Sequence, residues 1–216
     1  MSATAAVTDE LATMLSGCTT FRSWAEQDEG PYHRDQQPVR RDIVEDRPGT
    51  ALQLGIRLAH EDGSPATATV EVWHCDALGR YSGFPPPKVG SVVTAATAPA
   101  AQYLPDDTFL RGSQPTDAAG MVEFRTIYPG WYPGRTVHIH LMVEVGDGAF
   151  TSQLYFPEDI NDEVLARPPY SERPGRDTAN ATDTILPTGG TPAVLDIQAV
   201  RRGYRAAVCL VLPSAS

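Results

Sequence analysis

The stretch Arg135-Thr-Val-His138-Ile-His140 carries the clearest chemistry in the chain. Residues two apart on a strand point to one face, so His138 and His140 would project side by side while Val137, Ile139, Leu141 and Val143 line the other. Paired imidazoles suit a single metal ion. A bare His-x-His is more often simply a pair of polar residues on a solvent-facing strand. Here, however, the chain has only 5 histidines, and the pair follows a Pro/Gly-rich turn, Tyr128-Pro-Gly-Trp-Tyr-Pro-Gly134, that presents Tyr132. A second tyrosine, Tyr81, ends Val70-Glu-Val-Trp73-His-Cys-Asp76-Ala-Leu-Gly79-Arg-Tyr81, which reads as a strand running into a turn.

A phenol with an ordinary pKa of about 10 is a poor zinc ligand and a good ferric one. A hard trivalent ion stabilises the phenolate enough to remove its proton at neutral pH. Two tyrosinates and two neutral imidazoles would leave Fe(III) with a net positive charge and room for hydroxide, a site able to accept an acidic diol. A mixed Cys/His zinc site has little to draw on, because Cys209 is the only thiol after the pair.

Two other readings compete. The run His138-x-His140-x3-Glu144 is superficially similar to the first motif of the cupins, a family of metal-binding β-barrels, although the chain lacks the second His block and the flanking glycines. That alternative is a cupin-like Fe(II) or Zn(II) enzyme using His138, His140 and Glu144. The other is a metal-free β-sandwich binding module in which Tyr81 and Tyr132 merely pack on Trp73 and Trp131. His74 reads as structural and His33 as a residue of the pocket rim.

The elements that would position these residues are mostly strands. Ala51–Ala59, Ala66–Cys75, Met121–Ile127, Thr136–Val145, Ala149–Phe156 and Arg205–Leu212 are rich in Val, Thr, Ile and aromatics and are bounded by turn signals such as Gly146-Asp-Gly148. Helices are expected only at Thr8–Gly17, with acids in its first turn and a closing Gly, and at Pro157–Arg167. Short strands without alternating helices imply an all-β protein, an antiparallel β-sandwich with long loops and a short N-terminal helix. Residues 1–45 read as an N-terminal segment with that helix, and 46–216 as the catalytic sandwich. The stretches Gly83–Ser113 and Pro168–Gly190 read as long loops that wall a site.

The chain's 216 residues fit one domain, and 41% hydrophobic with 20% charged residues allows a real core. With 17 Lys+Arg against 27 Asp+Glu, the net charge of −10 argues against nucleic acid or an anionic membrane as partner. The longest apolar run, Ala206–Leu212, is far short of a membrane span, and the first 20 residues lack a basic start and an apolar core. Three cysteines, Cys18, Cys75 and Cys209, are an odd, sparse set, so free thiols and a cytoplasmic location are expected.

Taken in order, three motifs are specific. They are W-x-x-D-x-x-G-x-Y (Trp73–Tyr81), F-x-T-I-x-P-G-W-Y-P-G-R-x-x-H-I-H (Phe124–His140) and T-x-Q-L-Y-F (Thr151–Phe156). Together they resemble the intradiol ring-cleavage dioxygenases: the catechol, hydroxyquinol and protocatechuate dioxygenases. Upstream, Glu29-Gly-Pro-Tyr32 and Arg41-Asp-Ile-x-Glu-Asp-Arg-Pro-Gly49 fit the same family, as does Leu110-Arg-Gly-x-Gln-x-Thr-Asp-x-x-Gly120. The resemblance implies an Fe(III) cofactor held by Tyr81, Tyr132, His138 and His140. It implies Tyr132 as the axial tyrosinate that leaves on substrate binding, with Arg135 and Gln153 beside the substrate ring. The partners it implies are a catechol-type aromatic and O2, and the product a cis,cis-muconate-type dicarboxylate of aromatic catabolism. Catechol-type members carry a helical N-terminal region that dimerises; here only a short helix candidate precedes the first strand, which leaves monomer and homodimer both open. A ring carboxylate would need a cation at the mouth, for which Arg22, Arg34 and His33 are candidates, with Phe84, Pro85 and Tyr103 shaping the pocket.

Overall fold

The computed structural model describes residues 7–18, 21, 24–35, 37–85, 107–186 and 193–212. After helix α1 (Asp9–Ser16) come β1 (Ala51–Ala59), β2 (Thr69–Trp73), β3 (Arg111–Pro115), β4 (Met121–Ile127), β5 (His138–Val145) and β6 (Gly148–Tyr155). Helix α2 (Glu158–Leu165) leads to β7 (Ala193–Val194), β8 (Asp196–Val200) and β9 (Gly203–Val211). The strands form two sheets, ordered β4-β1-β9-β8 and β3-β2-β5-β6-β7. An all-β sandwich with a short N-terminal helix is therefore the fold.

Alternation builds the core between the sheets. Leu52, Leu54, Ile56 and Leu58 of β1 meet Val137, Ile139, Leu141 and Val143 around β5, with Val70, Val72, Phe124, Leu154, Val208 and Leu210 completing the layer. Burying one such aliphatic side chain contributes roughly 1.5–3 kcal/mol. Because the period of a strand is two, seating the odd residues of β5 in this core sends His138 and His140 to the other face.

Three strands, β3, β7 and β8, lie where a loop or nothing was expected. β3, Arg-Gly-Ser-Gln-Pro, falls partly in the stretch read as the Gly83–Ser113 loop and shows no apolar alternation. It is an edge strand on β2, and its polar side chains are anchored across the fold: Arg111 Nε donates to Ser82 Oγ at 2.7 Å, and Gln114 Nε2 to the Glu123 carbonyl. β8 is likewise a short edge strand, paired to β9. The sandwich is not wholly antiparallel: β1 and β9 run parallel, as do β6 and β7. Residues 86–106, which hold Tyr103 and most of the expected first loop, lie outside the described residues, as does Arg22.

Helix α1 docks on the outer face of the first sheet, where Leu11 and Leu15 pack with Met121, Ala207 and Cys209. Gly55 on β1 makes the close approach possible, since a Cβ there would sit 2.7 Å from Leu11 Cγ. The same docking corrects the expectation of free thiols. Cys18, just past the helix, is disulfide-bonded to Cys209 on β9 across 191 positions, with Cα atoms 6.4 Å apart; Cys75 alone is free, and buried. Counting cysteines cannot reveal a pair that only helix docking brings together. A crosslink closing so long a loop stabilises by roughly 2–5 kcal/mol. Cys18→Ser, or reduction, is expected to lower the melting temperature by roughly 5–15 °C. Thiol titration of the unreduced, denatured chain should find one reactive group rather than three; three would refute the bond.

Among the described residues, no helix is long and apolar enough to cross a membrane.

Candidate metal centre

The site lies on the face of the second sheet that looks away from the core. In register across three strands, Trp73 of β2 pairs with His140 of β5, which pairs with Gln153 of β6; one step along, His138 pairs with Tyr155. Paired residues share a face. Two turns complete the group. After β2, the turn at Asp76–Gly79 is closed by Asp76, whose carboxylate accepts the N–H groups of Leu78 and Arg80, both at 2.9 Å, and it delivers Tyr81. After β4, Pro129–Gly134 delivers Tyr132, its backbone bridged to Arg135.

All four predicted ligand side chains are brought together, each 2% exposed or less. His138 Nε2 lies 3.1 Å from His140 Nε2 and 3.4 Å from the Tyr132 hydroxyl. The Tyr81 ring is 5.7 Å from that of Tyr132 and 6.1 Å from that of His140. His138 Nδ1 donates to the Thr136 carbonyl at 2.7 Å, which leaves its Nε2 lone pair facing inward, as a ligand nitrogen must. The His140 ring is held in a stack against Trp73, at 4.9 Å and 3°.

Burial, and after it the Arg135 charge, pushes His138 down to about 3. Burial and the neighbouring His138 hold His140 well below its ordinary value. Both imidazoles are therefore neutral, the form that binds metals. Burial pushes Tyr132 up to about 12 against the pull of Arg135, and raises Tyr81 well above the usual phenol value, with Tyr132 adding to the rise. Without a cation, then, two neutral rings and two protonated phenols converge.

That arrangement leaves polar atoms unanswered. The Tyr81 hydroxyl and His140 Nδ1 are buried with no hydrogen-bond partner, whereas the two inward nitrogens, 3.1 Å apart, have each other and the Tyr132 hydroxyl as partners. A cation seated among these four atoms would engage the Tyr81 oxygen and replace the proton held between the two nitrogens. The donor set, two oxygens that become anionic and two neutral nitrogens, fits a hard trivalent ion such as Fe(III). The cupin-like set is not assembled: Glu144 is exposed, four residues along β5 from His140 and so about 13 Å away at the rise of a strand. Among the described residues, no three His, Cys, Asp or Glu side chains gather as a metal site.

Arg135 and Gln153 stand beside the cluster, the guanidinium Nη2 donating to Gln153 Oε1, while Gln153 Nε2 donates to the Asp28 carbonyl at 3.1 Å. The sequence reading left several neighbours without a role. Tyr32 stacks on Tyr81, with rings 4.2 Å apart and 14° from parallel, and its hydroxyl is also buried without a partner. The Tyr155 hydroxyl lies between Gln27 Oε1 and Gln153 Oε1, at 3.0 and 3.1 Å, and shares its one proton between them. Asp183 forms an ion pair with Arg135 Nε at 3.0 Å. Tyr32 could have been suspected from the Glu29-Gly-Pro-Tyr32 motif; Asp183, in a long irregular segment, carries no local signal. His74 is structural, bonded to Thr126 Oγ1 at 2.7 Å and the Cys75 carbonyl at 2.8 Å.

The segment 28–35 closes the site. Gly30, in the left-handed region at φ 72°, lets the backbone pass over the His140 ring, where a Cβ would come within 3.1 Å. Beside it opens a cavity of about 460 Å³ lined by Glu29, His33, Arg34, Asp35 and Phe84. His33 lies 3.4 Å from Glu71 and 3.8 Å from Glu29, and Arg34 donates to the Asp107 carbonyl.

A two-sheet sandwich with a phenol–imidazole cluster on one outer face is the setting of a ring-cleaving dioxygenase. The family model described as "Dioxygenase" matches residues 25–170, the span holding every residue of the cluster. The chain is similar to an intradiol ring-cleavage dioxygenase from Tetranychus urticae at 29% identity and a TM-score of 0.76, covering 88% of this chain and 94% of that one. It is also 37% identical over 110 residues to catechol 1,2-dioxygenase 2 of Acinetobacter lwoffii, spanning 48% of this chain and 34% of that protein. Chlorocatechol 1,2-dioxygenase of Rhodococcus opacus is 25% identical over 158 residues, 61% of this chain and 55% of that one. The chain thus spans about a third to a half of the length of these two curated relatives. It belongs to the intradiol ring-cleavage dioxygenase family.

Proposed function

We propose that the chain is an Fe(III)-dependent intradiol dioxygenase. It would open a catechol-type ring with O2 between the two hydroxylated carbons, giving a cis,cis-muconate-type dicarboxylate. The observation that carries this reading is the convergence of two buried phenols and two neutral imidazoles at one point. In it Tyr81, Tyr132, His138 and His140 hold the metal. Ferric ion supplies, when bound, a Lewis acid and template for both catechol oxygens.

The remaining work falls to the chain. Tyr132, as phenolate, takes a proton from the substrate at its Oη and so becomes a neutral phenol that no longer binds tightly. Arg135, a permanent cation with a planar fork, stabilises negative charge spreading over the ring and its oxygens. Gln153 orients that fork through Oε1. Tyr32 and Phe84, packed edge-on at 5.2 Å, supply an apolar wall beside the ring, and burial of the site keeps water from reactive species. Both atoms of O2 enter the product, so no external reductant is needed.

The mouth bears on the choice of substrate. His33 already faces Glu71 and Glu29, and Arg34 faces a carbonyl, so neither is set apart for a ring carboxylate. Among the described residues, then, the mouth favours catechols with neutral substituents over protocatechuate; Arg22 lies outside them. The Cys18–Cys209 bond favours an oxidising compartment over the cytoplasm that free thiols would have implied.

An oxygen electrode tests the reaction. The iron-loaded chain, coloured red to burgundy by tyrosinate-to-iron charge transfer, should consume one O2 per catechol and yield the muconate ultraviolet spectrum. Turnover of protocatechuate should be slower. A colourless iron-loaded protein, or uptake without muconate, would refute the assignment.

A further inference from the structure

We propose that Asp183 is a positioning residue for Arg135, its carboxylate fixing the guanidinium fork toward Gln153 and the metal cluster. The proposal rests on the role given to Arg135 above and adds the element that makes that role geometric.

Asp183 is buried, at 4% exposure, and its two oxygens divide their work. Oδ1 accepts the backbone N–H groups of Ile185 at 2.8 Å and Leu186 at 2.9 Å, which curls its own segment. Oδ2 accepts the Thr136 N–H at 2.7 Å and Arg135 Nε at 3.0 Å. Anchoring the segment needs Oδ1 alone; Oδ2 is spent on the arginine and the residue after it. Engaging Nε, rather than an Nη, leaves the outer nitrogens of the fork to reach Gln153.

The contacts continue into a closed circuit. The Tyr155 hydroxyl lies 3.1 Å from Gln153 Oε1 and 3.0 Å from Gln27 Oε1, its single proton shared between them, and Gln27 Nε2 donates at 2.9 Å to the carbonyl of Ile185, the residue Asp183 itself holds. Asp183, Arg135, Gln153, Tyr155 and Gln27 thereby form a ring around one side of the cluster. Networks of this kind rigidify when each member is satisfied. The carboxylate also supplies the opposite charge that a desolvated guanidinium requires. An amide cannot replace it, because its NH2 would confront two N–H donors on either side.

The test uses three variants of the iron-loaded enzyme. Asp183→Asn should keep iron and colour while kcat falls roughly 10- to 100-fold, the scale of misplacing a catalytic group by an ångström, with KM changed far less. Asp183→Glu, which restores charge at a shifted position, should recover part of the loss. In an Arg135→Met background, Asp183→Asn should cost less than twofold, because its effect passes through the arginine. A further readout does not depend on turnover. With diamagnetic Ga(III) in place of iron, the Arg135 Nε–H resonance should be resolved and slow to exchange in the unmodified chain, and lost in Asp183→Asn. Wild-type turnover in Asp183→Asn, or an equal loss in both backgrounds, would overturn the proposal. Should Asp183→Asn fail to fold, Asp183→Glu decides: unaltered turnover with an unaltered Nε–H signal also overturns it. An unmodified chain that turns over no catechol refutes the function reading, whereas these outcomes refute Asp183 alone.

Discussion

Tyr81→Phe is expected to abolish the colour and the dioxygenase activity while leaving the metal-free fold as stable as before or slightly more so. The substitution is chemically minimal. The ring that stacks on Tyr32 at 4.2 Å is retained, so the packing around it is kept. What is removed is a hydroxyl that is buried and has no hydrogen-bond partner within the protein. Deleting an unsatisfied buried polar group costs a fold nothing and can relieve a penalty of about 1–3 kcal/mol. If Tyr81 were only a packing residue, Phe would therefore be a silent or favourable change. As a ligand it is one of two anionic donors. Zinc sites with four protein ligands gain on the order of 10–16 kcal/mol in all, so one ligand is worth about 3 kcal/mol. At about 1.4 kcal/mol per factor of ten, iron affinity should fall roughly 10²-fold. The informative comparison is the pair of melting temperatures, metal-free and iron-loaded, for both proteins. Iron should raise the melting temperature of the unmodified chain and much less that of the variant. Equal iron stabilisation in both, with colour and oxygen uptake intact, would remove Tyr81 from the centre.

Much of this site was legible from spacing, and the reason is the arithmetic of strands. A period of two fixes which face of β5 carries His138 and His140 once Ile139 and Leu141 are seated in the core. Turn chemistry at Gly79 and at Pro129–Gly134 likewise announces that Tyr81 and Tyr132 leave their strands. Strands with strong alternation, such as β1 and β4, match their expected limits. Where the signal is non-local, the sequence is silent. β3 forms because β2 offers it an edge and because Arg111 and Gln114 find partners across the fold, and nothing within Arg-Gly-Ser-Gln-Pro says so. The Cys18–Cys209 pair and the Asp183–Arg135 pair join residues 191 and 48 positions apart. Each depends on an irregular segment or a docked helix, whose path no periodicity encodes.

Arg135→Met should separate holding the metal from turning over the substrate. Arg135 is not itself a ligand, but its side chain hydrogen-bonds to the Tyr132 phenol, so the iron centre should persist with its colour shifted rather than lost. Its side chain is 10% exposed and faces Gln153, in a buried setting where a fixed cation acts at low dielectric. Removing one preorganised donor from such a site costs roughly 10²–10³ in kcat in well-studied cases, and a loss of that size is expected here. The change also strands a carboxylate. Breaking a buried ion pair by deleting one partner costs up to about 3–5 kcal/mol, but Asp183 keeps three backbone N–H donors, so the penalty should fall below that range. Arg135→Lys distinguishes charge from geometry. A lysine restores the positive charge as a point on a flexible stem, without the fork that spans Asp183 and Gln153 at once. If charge alone drives the step, Lys should recover most of the rate. The geometry of the ring predicts that it recovers only a minor part, with KM for catechol little changed, because the fork acts on charge that develops during reaction more than on the bound ground state. Near wild-type kcat in Arg135→Met would leave the cluster as a metal site whose chemistry owes nothing to this cation.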